Sequence, residues 1–297
     1  MLGLLVVLAL GLAVSAPWRL EPAPVPPQSG FAPSFEDDRA VLWAVGDGAD
    51  GGPRAKAVVE VIRAGPYDGF LYLGDVYGPA ITSAIRGDGT ASDYRSRYAT
   101  VYGALAPRTA PTPGNHEWPQ RERGYHAYWS RVRGQRPPDY YTFRAGGWQL
   151  FSLNSEAPHG ETSAQVRWLA ARLKPGGTCR LAFWHRPRFS RGRHGDQADV
   201  APLWDTFRGH GKVVINGHEH SMQRLHPIDG VTEFVAGAGG HGHYPLDSDR
   251  RRAFGDDRAN GALRIELSPG RATLTFVASG GEMLDSSTVR CEPSSRR

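Results

Sequence analysis

Cysteine is almost absent from this chain of 297 residues, with two copies, Cys179 and Cys291. That number excludes a small disulfide-built scaffold and leaves either one bridge in an oxidising compartment or two separate thiols. Cys291 lies near the end of the sequence, where a bridge would tie down the tail. Excess charge is scarce too: 35 Lys and Arg against 30 Asp and Glu give +5. Basic residues are not interleaved with stacking aromatics, so no specific nucleic-acid partner is expected. Long apolar runs are missing after residue 16. The run that does exist, MLGLLVVLALGLAVSA, is short for a bilayer span, has no Lys or Arg before it, and closes on Ser15 and Ala16. It reads as a cleaved export signal or a retained anchor, and membrane association is expected only if it stays uncleaved. No cysteine follows it to carry a lipid.

What is present is enough apolar residue, 40%, to bury a full core, which excludes disorder as the dominant state. Glycine (37) and proline (23) are frequent and predict many shaped loops between short elements. Residues 17–35 are proline-rich without periodicity and read as a linker. Beyond it, apolar runs at 40–45, 69–73, 147–153, 179–184 and 212–215 read as strands. Amphipathic stretches at 54–64, 93–105, 161–173 and 200–208 read as helices. The alternation is that of an α/β chain, and by periodicity alone it would be an open parallel sheet. Residues 262–267 and 272–277 form a closing hairpin, 250–258 a charged surface loop, and 119–147 an aperiodic cover over the site opening.

Chemistry collects where those strands stop. Asp47 follows the first strand between Gly46 and Gly48, Asp75 follows the second after Gly74, and Tyr77 comes just behind it. Asn115 and His116 sit in a proline-flanked loop, His185 ends the 179–184 strand, and His218 and His220 lie past 212–215 beyond Gly217. Singly, each has an ordinary reading as an Asp-Gly turn or a loop histidine. As an ordered set they are the oxygen and imidazole donors of a centre for two metal ions (Fe, Zn or Mn), with Asp75 able to bridge. Arg186, Arg188 and His194 follow His185 and either hold an anionic substrate or form a solvated basic loop. His241, past a second glycine-rich turn, lines the site or is a loop histidine.

The motifs GDG (46–48), LGDVY (73–77), PGNHE (113–117), WHRPRFS (184–190), NGHEH (216–220) and VAGAGG (235–240) together resemble the calcineurin-like metallophosphoesterases, specifically their purple-acid-phosphatase branch. The resemblance spans roughly residues 40–280. It implies a four-layer β-sandwich of two mixed sheets flanked by helices. It implies two divalent or mixed-valence ions, with Asp47 and His220 on the first, Asn115, His185 and His218 on the second, and Asp75 between them. His116 would protonate the leaving group or steady the transition state. The implied activity is that of an exported enzyme acting on a small phosphorylated substrate, hydrolysing phosphate monoesters by attack of a metal-bound hydroxide. A phosphodiesterase or nuclease on the same metals, or a non-catalytic metal-containing binding module, are the alternatives. Two departures stand out. Many members carry a histidine where this chain has Ala49, and the purple branch supplies a tyrosine where this chain has Gly78, one residue after Tyr77. Either the loop shifts to bring Tyr77 in, or the first site is short of ligands. The expected division is 1–16 signal peptide or anchor, 17–37 linker, 38–287 catalytic domain and 288–297 tail.

Overall fold

The computed structural model describes residues 30–33, 35, 37–80, 87–173 and 179–292. The apolar segment 1–16 and most of the linker lie outside them; the part described is packed, with Phe31 in the core and Phe35 bridged to Ala145. Among the described residues, no helix is long and apolar enough to cross a membrane.

The chain builds one sheet, leaves it for a second, and returns to finish the first. Strands β1 (Ala40–Val45), β2 (Gly69–Tyr72) and β3 (Thr109–Pro111) run parallel. The chain then makes β4 (Tyr141–Ala145), β5 (Trp148–Ser152), β6 (Cys179–Phe183), β7 (Val213–Asn216), β8 (Met222–Leu225), β9 (Thr232–Ala236) and β10 (Arg252–Asp256). These form a seven-stranded sheet in the order β10-β8-β9-β7-β6-β5-β4, with β5, β6, β7 and β9 parallel. Last come β11 (Gly261–Ser268), β12 (Arg271–Ala278) and β13 (Met283–Arg290), antiparallel additions that complete the order β13-β12-β11-β1-β2-β3. The fold is therefore α/β with two mixed sheets, and the open parallel sheet suggested by periodicity is replaced.

Burial explains the patterns. The parallel strands are covered on both faces and read as nearly unbroken apolar runs, whereas β12 alternates wet and buried residues as an antiparallel strand near an edge does. In β6 and β7, Leu181, Phe183, Val213 and Ile215 enter the core between the sheets. Ala182 and Val214 point the other way, towards Leu169, Leu203 and Phe207 of helices Ala164–Arg172 and Ala201–Phe207. Helix α1 (Pro53–Arg63) starts at a proline, whose missing N–H costs nothing in a first turn. Cys179 and Cys291 are bridged, with Cα atoms 5.8 Å apart, so the start of β6 in one sheet is tied to the chain just after β13 at the edge of the other.

Three expectations change. Residues 119–147 are no aperiodic cover: they hold helix Ala127–Arg133 and strand β4, with Tyr125 and Trp129 fully buried. The helix is entered through a π turn at Glu122–His126, which disrupts the 3.6-residue spacing that would have revealed it. The 250–258 segment contains β10, an edge strand paired to β8 and only half covered, hence its polar composition. β13 runs through the boundary expected at 287.

Candidate metal centre

Strands β1, β2, β3, β6 and β7 lead into Asp47, Asp75, Asn115, His185 and His218 respectively. Asp47, Asp75 and His218 each take a left-handed backbone conformation, with φ of 59°, 69° and 67°. Non-glycine residues rarely adopt it, at a cost of roughly 1 kcal/mol or more each. These turns fold the residue after the strand back over the strand ends. Among the described residues, Asp229 is the other non-glycine residue with positive φ, so this strain is concentrated at the site.

The donors form two groups that share Asp75. On one side, the Tyr77 hydroxyl lies 3.2 Å from Asp47 Oδ1, 3.2 Å from Asp75 Oδ2 and 3.1 Å from His220 Nε2. His220 Nε2 is 3.5 Å from Asp47 Oδ1. On the other side, His185 Nε2 lies 3.3 Å from Asp75 Oδ1 and 3.1 Å from Asn115 Oδ1. Asp75, His185 and His218 present ligand atoms all within 4.8 Å of one another, and all three are buried. The two oxygens of one carboxylate thus face two donor sets.

Backbone contacts settle the tautomers. His185 Nδ1 donates to the Leu73 carbonyl at 2.8 Å and His220 Nδ1 to the Gly242 carbonyl at 2.5 Å, which turns Nε2 of each towards the cluster. Burial alone would lower His185, but Asp75 outweighs it and pushes His185 up to about 10, so a cation must displace its Nε2 proton. Asp47 Oδ2 accepts the His218 N–H at 2.8 Å, leaving Oδ1 for the site. Burial, reinforced by the charge on His185, pushes His218 down to about 2, so its imidazole is neutral. Burial alone would raise Asp75; the neighbouring His185 and His116 outweigh it and hold the carboxylate well below its usual range. Burial and the two aspartates push the Tyr77 phenol far up, so it stays protonated until a cation competes. Imidazoles, carboxylates and an amide oxygen converging in a buried pocket fit cations of intermediate hardness such as Fe, Mn or Zn, which displace the protons that the carboxylates hold on the imidazoles.

Tyr77 reaches the first group because pairing continues past the strand ends. Ala49 and Val76 form an isolated parallel bridge, and the Ala49 carbonyl accepts the Tyr77 N–H at 3.1 Å. Gly78 is instead held by Asp88 Oδ1 at 2.8 Å. His116 is about one-third exposed at the mouth, with Nδ1 2.5 Å from Asp88 Oδ2 and Nε2 3.8 Å from Asp75 Oδ2. His241 stacks on Tyr77 at 3.9 Å and His194 on His218 at 4.1 Å. Arg186 is held by Glu156 through two bonds of 2.8 and 3.1 Å. Arg188 turns elsewhere, its guanidinium over the Phe189 ring at 4.4 Å.

Sequence reasoning missed Asp88, although Gly87-Asp88-Gly89 repeats the glycine-aspartate signature of the first motif. It also missed three fully buried glutamates that each accept two successive backbone N–H groups. Glu117 takes Asp75 and Val76 at 3.0 and 3.2 Å, Glu219 takes Arg193 and His194 at 2.8 and 2.9 Å, and Glu233 takes Arg188 and Phe189 at 2.8 and 3.0 Å. Gly114 is required by the same crowding, since a Cβ there would collide with Asp75 Oδ1.

The family model for calcineurin-like phosphoesterases matches residues 40–222. The chain belongs to that family. Solved members of similar fold include purple acid phosphatase PPD1 from yellow lupin, at 15% identity and a TM-score of 0.66, covering 85% of this chain and 54% of that one. The phosphoesterase chain described here therefore spans about half the length of the lupin enzyme. GAP50, the anchor in the inner membrane complex of Plasmodium, is similar at 14% identity and a TM-score of 0.66, over 87% of this chain and 90% of that one. A dimetal phosphatase from Danio rerio gives 14% and 0.57, over 84% and 98%. At these identities the likeness is one of fold. No curated protein sequence matches this phosphoesterase chain.

Proposed function

We propose that the chain is an exported dinuclear phosphoesterase that hydrolyses phosphate monoesters. The observation that carries this reading is Asp75, whose Oδ1 and Oδ2 face separate donor sets at one sheet edge. Asp47, Tyr77 and His220 would hold one ion, and Asn115, His185 and His218 the other. Such ions, when bound, supply Lewis acidity towards a phosphoryl group and acidify water. The apolar segment at residues 1–16 and the Cys179–Cys291 bridge support an oxidising, extracytoplasmic location.

The protein's own groups have separable tasks. Asp88 engages His116 Nδ1, so Nε2, on the cluster side, is the atom that carries the proton to the departing oxygen. Glu156 fixes the Arg186 guanidinium, which presents positive charge beside His185 without loss of rotamer freedom on binding. His194 and His241 line the mouth and would contact the ester group. Arg188, committed to Phe189, holds its loop and leaves the anion to Arg186.

The likeness to an anchor protein raises a non-catalytic reading, and the intact buried donor set argues against it. The deciding experiment measures hydrolysis of p-nitrophenyl phosphate and bis(p-nitrophenyl) phosphate by full-length protein loaded with Zn, Mn or Fe. A kcat/KM at least tenfold higher on the monoester is expected. Preference for the diester would overturn the substrate assignment, and no turnover with both ions bound would favour the anchor-like reading.

A further inference from the structure

The loop that follows β9 touches each donor peculiar to the first site. His241 N–H donates to the Asp47 carbonyl at 3.0 Å, and its ring stacks on Tyr77 at 3.9 Å with planes 10° apart. The Gly242 carbonyl takes Nδ1–H of His220. Tyr244 N–H donates to the His220 carbonyl at 3.3 Å, while its ring stacks on the His220 imidazole at 4.1 Å and 12°. Arg193 lies over the Tyr244 ring at 5.0 Å and fastens it to the neighbouring loop. The second donor set is covered differently, by His194 on His218. The two sets are therefore steadied from two loops, which meet where His194 packs edge-on against Tyr244 at 5.2 Å.

The 240–244 loop is rigid by construction. Gly240 has φ of 134°, and a Cβ there would collide with Ala55 in α1, so the loop is seated on that helix at a position where only glycine fits. It also keeps both ring nitrogens of His243 buried without a hydrogen-bond partner. That is unfavourable in itself, and it persists where the residues on either side are committed to other contacts.

We infer that His241 and Tyr244 are positioning residues for the first cation. Their rings hold Tyr77 and His220 in register with Asp47 and replace the constraint that an imidazole at Ala49 would have supplied. The loop thereby sets affinity at the first site, and reaches the second only through the Tyr244–His194 contact. This rests on the dinuclear reading above, and the test separates the two.

The test is a titration of full-length, disulfide-bonded protein, first stripped by chelator, with Zn(II) alone, followed by calorimetry and metal analysis. Wild type is expected to take two ions. His241→Ala is expected to weaken one of them about 10–100-fold, the range for groups that orient ligands, and leave the other unchanged; Tyr244→Ala is expected to weaken the same ion over that range and the other by less, because Tyr244 also meets His194. Tyr244→Phe, which keeps the stack, restores wild-type binding. His243→Leu leaves both affinities unchanged. His218→Ala weakens the other ion, which assigns the sites. Two ions in wild type with both alanine variants unaffected, or with both ions weakened equally, overturns this inference alone. A wild type that takes fewer than two ions overturns the dinuclear reading and this inference with it.

Discussion

The Cys179–Cys291 bridge closes a segment of 112 residues, and its loss removes none of the donors of the candidate metal centre. In the chain-entropy treatment, a cross-link over n residues removes 2.1 + 1.5R ln n cal/mol/K from the unfolded state, about 16 cal/mol/K here, or about 4.8 kcal/mol at 25 °C. Whole domains are stable by roughly 5–15 kcal/mol, so an open bridge brings the fold near its threshold. Cys291→Ser is the cleaner variant, because Cys291 is partly exposed while Cys179 is buried and its truncation adds a cavity. With a urea slope of about 3 kcal/mol/M, the midpoint should fall by about 1.6 M, and reductant should shift wild type equally. Cys179 begins β6 and His185 lies past its end, about 20 Å away by strand rise, so kcat/KM at 25 °C should be unchanged. A midpoint shift under about 0.3 M at constant slope would refute the reasoning, since the bridge would then not constrain the unfolded chain.

Asp88→Asn keeps an acceptor for Gly78 N–H but loses the charge-assisted bond to His116, so kcat should drop roughly 10–150-fold with metal content unchanged; wild-type turnover would reject the pairing. Gly114→Ala drives a methyl group into Asp75, so metal analysis should show both ions lost, and retention of two would count against the shared position of that carboxylate. Burial raises Glu233 to about 8 from 4.5, with its two amide donors pulling part of the way back. The folded protein therefore keeps a proton between those values that the unfolded chain releases, and stability falls as pH rises through that window, by on the order of 4 kcal/mol. Glu233→Gln should flatten that part of the profile in denaturant titrations at pH 5 and 8; an undiminished slope would mean the carboxyl is ionised throughout.

The strand ends were legible because the same local grammar recurs there: an apolar run, a glycine and then a donor, as at Gly46-Asp47, Gly74-Asp75 and Gly217-His218. The parallel strands stood out because burial on both faces makes them apolar throughout. β10 and β13 did not, since edge strands carry the polar residues that keep sheets from pairing with other chains. Tyr77 illustrates a different limit. Counting residues from Asp75 placed the expected phenol at Gly78, and only the backbone pairing of Ala49 with Val76 and Tyr77 shows which side chain turns inward. Glu117, Glu219 and Glu233 were unreadable for a related reason. Their partners are main-chain amides, which leave no trace in the identity of the residues that own them.

That last property bears on how such a site changes over generations. A buried glutamate gripping two consecutive amides does not sense the side chains attached to them. At 188–189 and 193–194, side chains can be exchanged while the peptide path stays where it is, proline excepted. The glutamates act as fixed mounts onto which different side chains can be fitted. Substitution at position 194, at the mouth, would then leave the peptide path and the donors around Asp75 as they are.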